Sequence, residues 1–537
     1  MSSSRVSAIS RFPPELLEEV LSYLVAPALT TEDPTITTTN WHTIRQLASV
    51  CRLWRFTALG WPDFWVHAAP VNMSAEALQE FLGRSNQKPL SVELYLGADN
   101  QTLSPAALAV LNSASTRITS LAVRINSGAS NPSIALNRLE MALQGHAPLL
   151  NSLSVSIESP STYPWLASGN PMIACELPRL FQGEFPALRT LSLRGISTWE
   201  ENTFRDLEEF TLANADETEG AGTFAPLLRL LHANPQLRSL NVDKALERGW
   251  LEPVLPAQTI RLRSLESLTI KSEPRHIREL LSRLALPATT ALKLQAYKPV
   301  PDLISIEAML PQDLAHASLR PFNAVTKLSM SSSDTGKSIQ GWAPDNRLLV
   351  DVTLDEYCYD YASPVIDFPG YIRPFWSQQI THLTIMPGTA PHCMFERGWR
   401  SFFVSLPELQ ELTLVGEPDA AVFDGLNRLA TDYVQQTDLG AFPCPKLDTI
   451  HIHSSSLGAH TRRAFCRMLG DRSQVHSVAA NQVAEVTNVN FVCNKFGTLW
   501  EGPLVEVARM IAPHVSNMIR VLDSRGHCIR HNEASDF

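Results

Sequence analysis

Few stretches of the sequence combine residue types that could carry out chemistry. The segment DTGKS, residues 334–338, ends like a phosphate-binding loop, whose glycine-rich backbone cradles phosphates. That loop requires an earlier glycine at position 331, where this chain has Ser331. The sequence also has no G-x-S-x-G elbow, H-E-x-x-H, G-x-G-x-x-G or calcium-loop motif. We therefore predict no catalytic residue and no cofactor.

Two histidines, His451 and His453, alternate along a predicted strand and therefore point to one face. A zinc site needs three or four protein ligands, and no third ligand lies nearby in the sequence, so we predict exposed sheet histidines and no metal. The cysteines include no C-x-x-C pair and no dense framework, which favours reduced thiols inside the cell. They are Cys51, Cys175, Cys358, Cys393, Cys444, Cys466, Cys493 and Cys528.

The overall composition excludes several classes of partner. The 537-residue chain has 44 Lys and Arg against 54 Asp and Glu, a formal charge of -10 that is too acidic for a broad nucleic-acid-binding surface. No run of apolar residues is long enough to span a membrane, and the polar start MSSSRVSAIS lacks the apolar region of a signal peptide. The sequence predicts a cytoplasmic or nuclear protein, with neither nucleic acid nor membrane as a partner.

A short apolar-x-apolar triplet recurs along most of the chain, as in LRTLSLRG and LESLTIK. The triplets are 19 to 38 residues apart and begin at thirteen positions: 94, 121, 153, 191, 210, 240, 268, 292, 328, 352, 383, 412 and 450. Intervals commonly also hold a helix-like apolar run, such as FAPLLRLLHANP. The predicted repeat is a strand followed by a helix. Its average length lies at and slightly beyond the upper end of the range of lengths known for leucine-rich repeats.

Stacking of such units predicts an α/β solenoid, an irregular leucine-rich-repeat arc with parallel strands on one face. A doubly wound α/β sheet is the alternative, although thirteen strands would be unusually many for one open sheet. Alternation puts Leu191 and Leu193 on the buried face and Ser192 on the other, which is mostly small and polar and suits a protein ligand. Basic residues of that face, candidates for binding an acidic or phosphorylated target, are Arg124, Arg194, Lys271 and Lys293.

Two amphipathic segments precede the repeats. Pro13 and Pro14 suit the first turn of a helix, and the apolar residues that follow them recur at helical spacing. A Thr- and Pro-rich loop at residues 26–40 separates this helix from a second apolar stripe. That stripe comprises Leu47, Val50, Cys51, Trp54 and Ala58. A helical unit this small buries little surface, so we expect a partner or the following domain to stabilise it.

The order of three segments, FPPELLEEVLSYL, ASVCRLWRFTAL and WPDFW, resembles that of the F-box of fungal F-box proteins. The resemblance implies a non-catalytic substrate-receptor subunit of an SCF-type ubiquitin ligase, which docks on the small adaptor subunit and, through it, on cullin. It also implies divergent leucine-rich repeats after the F-box. The residues that it assigns to the adaptor contact are Phe12, Pro13, Leu16, Leu17, Val20, Leu21, Leu24, Val50, Cys51 and Trp54.

These observations divide the chain into four regions: a disordered start at 1–9, the F-box at 10–65, the repeat domain at 66–454, and a cap and tail at 455–537. In the last region, TRRAFCRMLGDRS at 461–473 predicts a helix, and VHSVAANQV at 475–483 predicts a final strand.

Three functions stay open from the sequence. A substrate receptor would act by proximity alone, because tethering a target near the charged ubiquitin carrier raises the local concentration of the reacting lysine. A scaffold would bind partners through the same surfaces without any link to ubiquitin transfer. A hydrolase or transferase hidden in an α/β domain would require a deep polar pocket.

Overall fold

The computed structural model divides into two units, Met1–Pro256 and Ala257–Phe537. It describes residues 13, 15–16, 18–20, 39–69, 73–96, 104–126, 132–158, 175–214, 224–245, 259–297, 309–311, 319–333, 336–355, 379–386, 396–427, 442–454, 457–479, 483–492, 501–522 and 528–533. Both units are mixed α/β and are built on mostly parallel strands. Among these residues, no helix is both long and apolar enough to cross a lipid bilayer. The start at 1–9, predicted to be disordered, lies outside them.

The first unit begins with helices and continues as alternating strands and helices. Its helices are α1 (Thr39–Val50), α2 (Arg52–Gly60), α3 (Ala75–Arg84), α4 (Pro105–Ser113), α5 (Pro132–Ala142) and α6 (Phe224–Ala233). Its strands are β1 (His67–Ala68), β2 (Leu90–Leu96), β3 (Ile118–Asn126), β4 (Ser152–Glu158), β5 (Cys175–Glu176), β6 (Thr190–Arg194), β7 (Ile196–Thr198), β8 (Glu209–Ala213) and β9 (Ser239–Asp243). The parallel order is β1-β2-β3-β4-β6-β8-β9, which confirms all six strands predicted here.

The strands bury alternate side chains, as predicted. In β6, Leu191 and Leu193 are fully buried and Ser192 is half-buried. A third aliphatic residue, three positions before the first, is also buried in both units, so that the buried pattern is L-x-x-L-x-L. This column contains Ile118, Leu150, Leu188, Leu207, Leu237, Leu265, Val325, Leu349, Ile380, Leu409, Leu447 and Val486. Since a fully buried leucine contributes about 2 kcal/mol relative to an exposed one, the column is a large part of the core.

Buried asparagines connect consecutive loops of the first unit. Asn202 Oδ1 accepts a hydrogen bond from Leu180 N at 3.1 Å. One strand–helix repeat later, in the same unit, Asn234 Oδ1 accepts a hydrogen bond from Leu207 N at 2.9 Å, and Asn234 Nδ2 donates to Phe204 O at 3.1 Å. Asn202 is 6% exposed and Asn234 is fully buried. The two amides therefore satisfy loop backbone groups that would otherwise be buried without a partner.

The second unit has the same alternation with more strands. Its helices are α7 (Pro274–Ser282), α8 (Arg320–Asn323), α9 (Glu396–Val404), α10 (Ala420–Gly425), α11 (Ala459–Ala479) and α12 (Glu501–Ile511). Its strands are β10 (Ile260–Arg261), β11 (Ser267–Ser272), β12 (Leu284–Ala285), β13 (Ala291–Ala296), β14 (Lys327–Ser333), β15 (Gly336–Trp342), β16 (Leu348–Asp355), β17 (His382–Ile385), β18 (Glu411–Val415), β19 (Thr449–His453), β20 (Asn488–Val492), β21 (Met518–Leu522) and β22 (Cys528–Glu533). All seven strands predicted in this unit are confirmed.

Strand order in the second unit departs from a regular solenoid, in which each strand would lie beside its predecessor. The order is β11-β13-β16-β15-β14-β17-β18-β19-β20-β21-β22. The chain reverses between β14 and β15, where Ser333 pairs with Gly336, and such a short connection favours an antiparallel hairpin. The segment DTGKS therefore spans a strand reversal. The resulting three-stranded meander is inserted in reverse order between β13 and β17.

The C-terminal region contains more regular structure than a cap alone. The helix predicted at 461–473 is confirmed and extends to Ala479 as α11. The strand predicted from residue 475 is wrong over 475–479, because the helical pattern continues: Val475 is buried one turn after the buried Arg472. Beyond it, β20 and β21 add parallel strands to β19, and β22 pairs with β21 in the antiparallel direction.

Candidate functional site

The N-terminal helical region exposes several residues assigned to the adaptor contact. Residues 15, 16 and 18–20 are helical, and Leu16 and Val20 are 47% and 48% exposed. The assigned residues that are exposed are Pro13, Leu16, Val20, Val50 and Cys51. Trp54 is half-buried, and Phe12, Leu17, Leu21 and Leu24 lie outside the described residues. The exposed members are thus available to a partner chain.

A break between α1 and α2 explains why Val50 and Cys51 face solvent. The sequence stripe assumed one continuous helix, but Cys51 is extended, with φ -158° and ψ 175°. Its Sγ accepts a hydrogen bond from Trp54 N at 3.5 Å, which caps α2. Of the five stripe residues, Leu47 and Ala58 are buried, whereas the two at the break are turned outward.

Phe56 of α2 is the apolar side chain that the sequence prediction missed. It is 79% exposed, more than any other large apolar side chain in the described residues. It lies off the apolar stripe and next to Arg55, on the side that amphipathic periodicity assigns to water. An aromatic residue on the polar side of a helix is therefore the signal that could have revealed it.

The segment WPDFW attaches the helices to the first strand–helix repeat. Trp65 is 2% exposed, and its Nε1 donates to Ala58 O of α2 at 3.0 Å. The Arg84 guanidinium of α3 lies 5.1 Å from the Trp65 ring centre, and its Nη1 donates to Leu59 O at 3.1 Å. Phe81 packs edge-on against the same ring. The core of the helical region is therefore shared with the repeats, while its exposed apolar residues are not.

The polar face of the first unit brings two predicted basic residues into one row. Arg124 of β3 and Arg194 of β6 are both in register with Ser156 of β4, which puts them two strands, about 10 Å, apart. Arg194 is exposed. Arg124 is not a free cation, since its Nε lies 3.0 Å from Glu93 Oε1, to which Tyr95 also donates at 2.7 Å.

The other two predicted basic residues lie together in the second unit. Lys293 of β13 is in register with Thr269 of β11, and Lys271 is two residues further along β11 on the same face. Lys293 is exposed and is also in register with Asp351 of β16. The four basic candidates therefore form one pair in each unit.

Glu411 of β18 lies between two histidines on the polar face of the second unit. His382 Nε2 is 3.1 Å from Glu411 Oε2, and His451 Nε2 is 3.0 Å from Oε1. His453 is on the same face as His451, as predicted, and its pKa is lowered by burial and by the neighbouring His451. The sequence analysis missed Glu411 because its contacts with the two histidines depend on the pairing of β17, β18 and β19, which are distant from one another in the sequence.

The described residues contain little reactive chemistry. No group of three or more His, Cys, Asp or Glu side chains in this part of the chain could hold a metal ion. The Cys51 thiol is exposed, whereas the Cys175 and Cys444 thiols are buried. Burial raises the pKa of the Cys444 thiol, which keeps it protonated and unreactive.

No protein-family model matches this sequence, and no curated protein matches it.

Proposed function

We propose that this chain is a substrate receptor of an SCF-type ubiquitin ligase. In this proposal, the N-terminal helices dock on the small adaptor subunit and, through it, on cullin, and the polar strand face holds a target protein. The observation that carries the proposal is the exposure of Leu16, Val20, Val50 and Phe56 on the N-terminal helices. If these helices only capped the repeats, their large apolar side chains would be expected to face the core.

The repeats support the second half of the proposal. We infer that the parallel strands belong to a divergent leucine-rich-repeat solenoid with an irregular period. The recurring buried column and the loop-bridging Asn202 and Asn234 favour this assignment, since each joins one strand–helix unit to the next. The half-buried polar face of the strands is then the surface left for a protein ligand.

The proposed role involves no bond chemistry by this chain. The receptor would hold a target lysine near the charged ubiquitin carrier, which raises the effective concentration of the reacting groups. We place this activity in the cytoplasm or the nucleus.

Capture of purified adaptor and cullin by the full-length chain tests the proposal. A Val50→Asp, Phe56→Asp double variant places two charges on the exposed surface and should reduce capture at least about a hundredfold, because two apolar anchors are lost and desolvating each charge is costly. Met141→Asp is the matched control, since Met141 of α5 is 71% exposed in the same unit. It should capture both partners normally.

The scaffold alternative predicts a different pattern. A scaffold that is not coupled to ubiquitin transfer would bind the adaptor without recruiting cullin, or would bind neither. Equal capture of adaptor and cullin by the parent chain and the double variant would contradict the docking role of these helices.

A further inference from the structure

Three strands near the end of the second unit bring polar side chains into one row. The register pairs His451 of β19 with Asn490 of β20, and Asn490 with Arg520 of β21. Side chains in register on neighbouring parallel strands point to the same face and lie about 4.8 Å apart. Asn490 is 7% exposed, and the other two are half-buried. The row therefore forms the floor of the polar face at this end of the unit.

Arg520 carries a charge that the described part of this unit does not neutralise. Its Nε is buried and has no hydrogen-bond partner among the described residues. On one side of the sheet, the acid of the row's own network is Glu411 of β18, three strands or about 14 Å away. On the other side, β22 places His531 in register with Arg520 and Glu533 in register with Met518. A buried guanidinium N–H without an acceptor is unfavourable, and an anion that meets the exposed part of this guanidinium would balance its charge.

Asn490 is held so that it can donate beside Arg520. His451 Nε2 lies 3.0 Å from Glu411 Oε1, and its Nδ1 lies 3.4 Å from Asn490 Nδ2. With the Nε2 proton donated to Glu411, Nδ1 accepts from the amide, and this fixes the orientation of Asn490. An amide nitrogen carries two hydrogens, so one remains for another acceptor. A neutral donor and a cationic donor are thus adjacent on neighbouring strands.

We propose that Asn490 and Arg520 form a binding site for a carboxylate of a partner polypeptide. One guanidinium and one amide match the single charge and paired oxygens of a carboxylate. A phosphate monoester carries nearly two charges, which a single guanidinium does not balance. The inference rests on the proposed function, in which this face holds the target, and it adds that the target presents a C-terminal carboxylate or an Asp or Glu side chain.

Retention of the full-length chain on bead-bound random heptapeptides tests the site. Three libraries are compared: peptides with a free C-terminal carboxylate and no Asp or Glu, amidated peptides with no Asp or Glu, and amidated peptides with one internal Asp or Glu. We expect at least about tenfold more retention on a carboxylate-bearing library than on the carboxylate-free one. The library that retains more identifies the source of the carboxylate. Equal retention on all three overturns the proposal.

Two variants assign the effect to the site. Arg520→Met removes the charge, and Asn490→Asp, which changes little in size, places an internal carboxylate beside Arg520. Each should lose the preference at least about tenfold. Arg509→Met, at an exposed position of α12, should keep it. If either folded site variant keeps the preference, or if inorganic phosphate displaces the peptides at a lower concentration than acetate, the assignment is wrong.

Adaptor capture by the same proteins separates this proposal from the proposed function. The Arg520→Met chain should bind the adaptor as the parent does, and the Val50→Asp, Phe56→Asp chain should keep its peptide preference. If a variant loses the carboxylate preference but still captures the adaptor, the result bears on the Asn490–Arg520 site and not on the docking role of the N-terminal helices.

Discussion

The two units use a half-buried arginine on the polar strand face in different ways. In the first, Arg124 pairs at 3.0 Å with Glu93 of the preceding strand and lies 5.7 Å from the ring centre of Tyr95. In the second, the strand that precedes Arg520 offers Asn490 instead of an acid. The residue on the neighbouring strand, more than the arginine itself, decides whether the cation is an internal ion pair or is available to a ligand.

A second pair of arginines, which bind loop carbonyls, sharpens the contrast. In the first unit, Arg117 is half-buried and its Nη2 donates to Lys88 O at 2.8 Å. In the second, Arg472 is fully buried and donates to Pro443 O at 3.0 Å and to Cys444 O at 2.8 Å. Burial lowers the pKa of Arg472 to about 10, although the guanidinium stays charged at neutral pH. We therefore expect the stability of the second unit to depend more on Arg472 than the stability of the first unit depends on Arg117.

Replacement of this buried arginine should have the largest effect. Arg472→Met leaves several buried carbonyls without a donor and should lower the free energy of unfolding of the second unit by about 3–5 kcal/mol. Arg117→Met should cost about 1–2 kcal/mol, because its carbonyls lie nearer to water. Urea unfolding followed by hydrogen exchange of β19 and β3 reports each unit separately. Equal losses in the two variants would remove the contrast.

Acid should destabilise the second unit through His276, which is 2% exposed. Burial, and to a lesser extent Arg275, lowers its pKa from 6.5 to about 4. Between these values the unfolded chain binds a proton that the folded chain does not, so the stabilisation is complete above pH 6.5 and is lost as the pH falls toward 4. The loss should reach up to about 3 kcal/mol. Urea midpoints between pH 7 and 4.5 measure it, and His276→Gln should flatten the dependence.

Replacing Glu93 by glutamine should make Arg124 of the first unit available to a ligand, as we propose for Arg520 of the second. Glu93→Gln removes the acid that neutralises Arg124, at a cost of about 1 kcal/mol or less because the pair is only half-buried. The variant should show increased retention on the carboxylate-bearing peptides. Glu209→Gln, an exposed acid on the same face, is the control and should leave retention unchanged. If Glu93→Gln gains nothing, the neighbouring strand does not determine the availability of the cation.

The smallest change in the free energy of unfolding is expected at the ion pair between Lys88 and Asp63. Lys88 Nζ lies 2.6 Å from Asp63 Oδ1, and the two side chains are 41% and 46% exposed. Lys88→Met should change the free energy of unfolding by no more than about 0.5 kcal/mol, because solvent screens the pair. Urea unfolding measures this directly. A loss as large as that of Arg117→Met would show that exposure is a poor guide to these interactions.

Local periodicity was sufficient to predict the strands of the recurring triplets and their faces, but it failed over 475–479, where the chain is helical. Every predicted triplet forms a strand, and alternation placed Leu191 inward and Ser192 toward the polar side. Pairing between distant segments was not predictable in the same way. The reversed order of β14, β15 and β16 depends on a two-residue connection, and the contact of Glu411 with His451 depends on strand register.

The candidate site was predicted only in part, for a related reason. The apolar residues of the N-terminal helices follow from composition, but the break at Cys51 decides which of them face outward. Arg124 was selected by its charge, whereas Glu93, which neutralises it, lies 31 positions earlier in the sequence. Asn490 and Arg520 were missed because they lie beyond the last triplet considered, in strands that continue the sheet.

The anchoring of Trp65 between α2 and α3 has a mechanical consequence. The helices and the first repeat share a core. A protein bound to the exposed side of those helices therefore cannot rotate freely relative to the first repeat. A cargo held on the first unit would then be presented at a nearly constant reach and angle. In the proposed function, this fixed geometry would decide which lysines of the target come within range, and Trp65→Ala, which loosens the joint, should broaden that choice.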